Sequence, residues 1–159
     1  MKPSRPMVAM LVAMIGAGCA FHASPTAGLV FQPPPGWRSS PGIMGFMQFW
    51  RSPTDDREVL FLFKSPQQLH SDDVFSKARL DSTLQDATIE RREAIEICDR
   101  QPAEYIEAVG RSKRGEDDRV EIVSTNVGGT TYFAMYVRPL TSRTNEVARA
   151  ALRELCAKP

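Results

Sequence analysis

EYIEAVGRSKRGEDDRVEIVSTNVGGTTYFAMYVRP, residues 104–139, holds three runs of alternating character separated by two turn signals. Glu104, Ile106 and Ala108 alternate with Tyr105, Glu107 and Val109, the two-residue period of a strand. Arg111 to Asp118 is polar and charged around Gly115, and reads as an exposed hairpin loop. Val120-Glu121-Ile122-Val123 resumes the strand, and Asn126-Val127-Gly128-Gly129 turns it back. Thr131, Phe133, Met135 and Val137 then alternate with Tyr132, Ala134 and Tyr136 until Arg138-Pro139 ends the run. Strands joined by hairpins pair antiparallel, so this meander decides the fold class.

Working outward, Ile95 and Ile97 alternate with Ala94 and Glu96 ahead of Cys98, and Asp99-Arg100-Gln101-Pro102 reads as a turn. Phe46 to Trp50 is a short aromatic strand stopped by Ser52-Pro53. Val59 to Phe63 is apolar at five successive positions between Glu58 and Lys64, which predicts a central strand covered on both faces. Asp72 is suited to cap a helix with Val74, Phe75, Ala78 and Leu84 near one face. A final helix, capped at Ser142 or Thr144, carries Val147, Ala151 and Leu155 with Ala148 and Leu152 on its apolar stripe. Arg149 and Arg153 lie off that stripe. The expected architecture is α+β: an antiparallel sheet of about six strands packed with two amphipathic helices.

The chain has 159 residues, 42% hydrophobic and 25% charged, which suits one globular domain and excludes disordered and fibrous classes. Twenty Lys and Arg against nineteen Asp and Glu give no reason to expect nucleic-acid binding or a polybasic membrane patch. At the N-terminus, Lys2 and Arg5 precede the uncharged run Met7–Gly18. As a helix these twelve residues span about 18 Å, short of a hydrocarbon core of roughly 30 Å, so they read as a secretory signal. Gly16-Ala17-Gly18-Cys19 resembles a bacterial lipobox, with Gly16 where leucine is usual; cleavage there leaves Cys19 as a lipid-bearing first residue. Ordinary cleavage after Ala20, behind the small Gly18, is the alternative. The organisation is then a signal over 1–18 (1–20 if ordinary), a tether over 19–28 and a single α+β domain over 29–159. Pro33-Pro34-Pro35 imposes polyproline geometry, and Leu29, Val30, Phe31 and Trp37 around it read as anchors into a core.

Together these pieces resemble the PsbP/Mog/DcrB-like fold. The run Phe31-Gln32-Pro33-Pro34-Pro35-Gly36-Trp37, two strands, a helix, a long meander and a closing amphipathic helix are similar to it over about residues 29–157. Cys98-Asp99-Arg100-Gln101-Pro102-Ala103 resembles the Cys-x-x-Gln-Pro-Ala strand turn of small exported bacterial proteins with that fold. In those a second cysteine commonly closes the last helix, as Cys156 does here after Leu155, which implies a Cys98–Cys156 disulfide. The cysteine count agrees: if Cys19 carries lipid, the other two pair with none left over, in an oxidising compartment where the bond persists. The resemblance implies a non-catalytic accessory or binding role, and the family has no common catalytic motif to place on this chain.

The residues themselves offer no enzyme signature. His22 falls in the tether and His70 stands alone at a helix start; Asp72-Asp73 beside it suits a helix N-terminus without a cation. There is no Gly-x-Ser-x-Gly elbow and no phosphate loop. Glu116-Asp117-Asp118 and Glu90-Arg91-Arg92-Glu93 read as a solvated loop and a strand edge. The expectation is a non-catalytic exported accessory or binding module of the bacterial envelope, needing no cofactor, metal or catalytic residue. It would sit on the periplasmic side, at the membrane through lipid on Cys19, or soluble in the periplasm or secreted without it. An envelope protein partner would meet Arg111, Lys113 and Arg114. The alternatives are a hydrolase-like envelope enzyme with scattered residues, and a carrier of a small apolar ligand held between sheet and helix.

Overall fold

The computed structural model describes residues 28–43, 47–70, 72, 76, 80, 84–98 and 100–158, without the side chains of 41–43. Two strands open the described chain, β1 (Leu29–Val30) and β2 (Arg38–Ile43), followed by β3 (Met47–Arg51) and β4 (Val59–Ser65). The long meander is β5 (Gln85–Ile97), β6 (Gln101–Arg111), β7 (Asp117–Val127) and β8 (Thr130–Pro139). Helix α1 (Glu146–Arg153) and β9 (Cys156–Ala157) close the chain. Seven strands form one antiparallel sheet in the order β2-β3-β4-β8-β7-β6-β5, and β1 pairs separately with β9.

The architecture is thus mostly antiparallel sheet with one helix among the described residues, where sequence suggested about six strands and two helices. Two added strands have a reason to be missed: Arg38–Ile43 contains Ser-Ser-Pro-Gly, and Cys156–Ala157 is two residues long. Proline and glycine are tolerated in β2 because it lies at the sheet edge. The helix expected after Asp72 falls largely outside the described residues. Of that stretch, Leu80 N–H donates to Ser76 C=O at 3.1 Å and Leu84 N–H to Leu80 C=O at 2.7 Å.

Alternation along each strand builds two cores, one on each face of the sheet. Leu60, Leu62, Tyr105, Val123, Ala134 and Tyr136 are buried on the face that meets Ala148, Ala151, Leu152 and Leu155. Ile106, Ala108, Val120, Ile122 and Phe133 are buried on the other, against Leu80, Leu84 and Ala87. Each fully buried aliphatic side chain of this kind contributes about 1.5–3 kcal/mol. Phe31 packs on Trp50 with ring centroids 5.0 Å apart, and Trp37 on Tyr136 at 6.3 Å, so the residues around the proline run do anchor it.

Three local details depart from the sequence pattern. The helix cap is Asn145, whose Oδ1 accepts from Ala148 N–H at 3.2 Å; Thr144 is occupied elsewhere, its hydroxyl accepting from Arg138. Val147 lies on the exposed side of α1, while Arg149 turns toward the sheet. The hairpin loop is shorter than Arg111–Asp118, since β6 runs to Arg111 and β7 begins at Asp117. Gly128 and Gly129 both take positive φ, 57° and 80°, the requirement of a two-residue primed turn.

Candidate functional site

Three polar regions lie on this scaffold, and they differ in how completely their groups are paired. The first is beneath α1. The β6–β7 register sets Glu107 directly opposite Glu121, a like-charge pair that by itself is destabilising. Arg149, one turn into α1, resolves it: Nε and Nη2 donate to the two oxygens of Glu121 at 2.7 and 2.8 Å. The Tyr105 hydroxyl donates to Glu121 at 2.8 Å, and Arg119 donates to Glu107. Glu121 is 1% exposed and Arg149 28%, so this is a bidentate pair with a buried carboxylate. Burial first, then the bond to Glu121, pushes the Tyr105 phenol well above its ordinary range, and the same carboxylate raises Arg149 further. Nearby, Tyr136 donates to Glu58 and is raised by burial and that bond. Arg138 reaches Ser142 C=O at 2.8 Å and the Thr144 hydroxyl at 2.9 Å, fastening the loop that leads into α1.

This is the clustered-carboxylate arrangement that sequence reasoning missed. Glu107 and Glu121 lie 14 positions apart and Arg149 a further 28, so no local spacing marks them. Both carboxylates are already held by cations or a phenol, and the space between helix and sheet is filled by Tyr105, Tyr136, Leu152 and Leu155.

The second region is the β6–β7 hairpin. Ser112 N–H donates to Glu116 C=O at 2.7 Å and Gly115 N–H to Ser112 C=O at 2.8 Å, with Gly115 at φ 82°, which makes the tip a defined turn. Glu116 and Asp118 are drawn to Arg57 of the β3–β4 loop, at 3.2 and 3.0 Å, so they tie two hairpins together instead of being simply solvated. Burial outweighs Arg57 at Asp118 and raises its carboxyl. Arg111 is 3.9 Å from Asp117 and 57% exposed. Lys113 and Arg114 are exposed and make no ion pair among the described residues.

The third region is on the face opposite α1. A cleft of about 240 Å³ lies against the ends of β6, β7 and β8, lined by Leu69, Pro102, Glu104, Ser124, Asn126 and Thr131, among others. Glu104 Oε1 accepts from Arg92 Nε at 2.5 Å, and Arg92 Nη2 also reaches Asp72 at 2.9 Å. Glu104 Oε2 is buried and has no hydrogen-bond partner among the described residues.

Cys98 and Cys156 are joined by a disulfide with Cα atoms 5.2 Å apart. Gln101 reinforces the joint, its Nε2 donating to Ala157 C=O at 2.7 Å and its Oε1 accepting from Ala157 N–H at 3.2 Å. The Cys-x-x-Gln turn is therefore a clamp on the C-terminal strand, placed one residue earlier than expected, with Gln101 N–H donating to Cys98 C=O at 2.8 Å. Clamp and hairpin tip lie at opposite ends of β6. Cys19 and the apolar run before it lie outside the described residues. His70 is exposed, Asp72 is engaged by Arg92, and no group of three metal-ligating side chains occurs among the described residues. Among those residues no helix is long and apolar enough to cross a membrane.

The antiparallel sheet and its closing helix form a PsbP-like fold. The cyanobacterial PsbP (CyanoP) of Synechocystis sp. PCC 6803 is similar over 92% of this chain and 98% of its own, at a TM-score of 0.59 and 17% identity. LpqN of Mycobacterium tuberculosis, involved in cell envelope biogenesis, is similar over 82% of this chain and 83% of its own (TM-score 0.54, 12% identity). A protein of Bacteroides thetaiotaomicron matches 86% of this chain (TM-score 0.55, 14% identity), which spans 47% of that protein's length. No protein-family model and no curated sequence matches the chain.

Proposed function

We propose that this protein is exported to the bacterial cell envelope, held there by lipid on Cys19, and acts as a non-catalytic binding module. Its hairpin tip presents Lys113 and Arg114, with Arg111 at the base, to an acidic surface of an envelope protein. The observation that carries the reading is the contrast in pairing: the buried acids beneath α1 are engaged by arginines, while Lys113 and Arg114 stand exposed on a defined turn without a counter-ion among the described residues. Loops on a rigid sheet are where such modules carry recognition. The Cys98–Cys156 disulfide supports an oxidising compartment, and the likeness to LpqN, involved in cell envelope biogenesis, supports the envelope. Two or more acyl chains on Cys19 would anchor the chain stably, where one binds only marginally.

Mass spectrometry of the mature N-terminus tests the first part. A lipid-modified Cys19 is expected; an unmodified chain beginning at Phe21 overturns the anchor, and a retained Met1 overturns export. Capture from solubilised native membranes tests the second. A partner held by the unaltered protein should be lost with Lys113→Ser/Arg114→Ser, and retention of that partner overturns the assignment of the tip.

A further inference from the structure

The cleft opposite α1 keeps spare hydrogen-bonding capacity, and its charged part is an acceptor. Thr125 spends its hydroxyl on Pro102 C=O at 2.8 Å, and Thr131 Oγ1 accepts from Leu69 N–H at 2.9 Å and contacts Gln67 C=O at 3.1 Å. Asn126 Nδ2 donates to Leu69 C=O at 3.4 Å, and its Oδ1 meets the Thr131 hydroxyl. Glu104 Oε2 has no partner among the described residues, and the β6–β7 register sets Ser124, whose hydroxyl can accept as well as donate, directly opposite on the same face. Cross-strand neighbours of this kind have Cβ atoms about 5 Å apart, close enough for one small donor to reach both.

We propose that this cleft binds a small cationic hydrogen-bond donor, an ammonium or guanidinium group, between Glu104 and Ser124. Charge favours a cation: among the described residues Glu104 is the one charged residue lining the cleft, and Asp72 and Glu104 together outnumber the Arg92 between them. A buried carboxylate oxygen without a donor is costly, so a ligand N–H there gains more than it would in water. Glu104 lines the cleft, and the terminal torsion of a glutamate is soft enough to turn its buried Oε2 toward an incoming donor. A volume of about 240 Å³ sits below the usual range for whole cofactors and suits a head group on a short stem. Leu69 and Ala103 supply apolar wall for that stem. The inference stands apart from export and lipid anchoring.

The test uses the full chain purified with its disulfide intact, followed by NMR of the amides of residues 102–104 and 124–126. Butylammonium and butylguanidinium are the free probes, and a capped Gly/Ser hexapeptide with one central lysine represents a partner's side chain. Saturable shifts are expected with the cations and not with butanol or butyrate. Glu104→Gln should weaken binding at least tenfold, and Ser124→Val, which fills the cleft and leaves the carboxylate in place, should abolish it. Equal affinity for free cation and peptide assigns a small-molecule ligand; a peptide at least tenfold tighter assigns a basic side chain from a partner. No saturable shift with any cation, equal binding of butanol, or shifts unchanged in both variants would each overturn the proposal.

Discussion

Glu107 and Glu104 stand three residues apart on β6, point to opposite faces of the sheet, and have met opposite fates. Glu107 faces another carboxylate across the strand pair, the worse starting position, yet its surroundings supply Arg119, with Arg149 4.0 Å away. Glu104 faces only a serine, has Arg92 on one oxygen, and leaves the other buried and unserved. The number of like charges is therefore a poor guide to which acid is a site. What separates the two is how many donors the fold brings to each: a fully served buried acid is part of the scaffold, and a half-served one keeps capacity for something else.

That contrast can be broken most forcefully at Glu121. Glu121→Ala should cost about 3 kcal/mol, because it leaves the buried Tyr105 hydroxyl and the partly buried Arg149 without their carboxylate. Replacing Glu121 and Arg149 together by leucine should recover most of that loss, since the penalty lies in the unpaired charge more than in the lost pair. Urea unfolding midpoints measure both, and a single variant within 1 kcal/mol of the unaltered protein would mean that the network is not structural. Next in size is the clamp at the far end of β6. Removing both cysteines of the disulfide, which closes a separation of 58 residues, should cost about 2–4 kcal/mol. It should also raise hydrogen exchange at Ala157 and Lys158, whose N–H groups donate to Gln101 and to Gly28 C=O. An unchanged Tm under reductant would remove the clamp from the account.

How much of this could be read beforehand follows from the range of each interaction. The meander, the Gly128-Gly129 turn, the Cys98–Cys156 pair and the anchoring of Phe31 and Trp37 each rest on a local pattern or a short motif, and all were legible. β5 was legible near Ile95 and Ile97 and as a charged strand edge over Glu90 to Glu93, but its full length was not, since a register shift between Ile89 and Arg91 breaks the period of two. Such charges and irregularities are what guards an edge strand. The stripe on α1 failed at Val147 and Arg149 because a helix of eight residues takes its orientation from its tertiary contacts, here Glu121 and the Arg138 strap. Neither the Glu107–Glu121 network nor the Glu104 cleft could be found by spacing, since both are made by strand register.

The two faces should also differ in alkali. Tyr105 and Tyr136, both beneath α1, hold their protons more tightly folded than unfolded, through burial and their bonds to Glu121 and Glu58. Above an unfolded value of about 10 the unfolded chain releases these protons and the folded chain does not. Stability present below pH 10 is therefore lost as pH rises, at up to about 1.4 kcal/mol per pH unit for each tyrosine. Tyr105→Phe should roughly halve that slope in unfolding measured between pH 9.5 and 11.5. An unaltered slope would place the alkaline loss in other groups.

The smallest expected effect is the one that sharpens the comparison most. Glu104→Gln should change stability by less than about 1 kcal/mol, although the same chemical change at Glu107 or Glu121 should cost several times more. Arg92 is 38% exposed and shares its guanidinium with Asp72, so water and a second acid replace what Glu104 gives up. The amide keeps an acceptor for Arg92. Salt should act in the same direction: raising sodium chloride from 0.05 to about 0.5 M screens the Arg92 pair and should narrow even this difference, while leaving the Glu121 variants nearly unchanged. A loss above 2 kcal/mol for Glu104→Gln, insensitive to salt, would mean that Glu104 is as much scaffold as Glu107, and the asymmetry between the two faces would go with it.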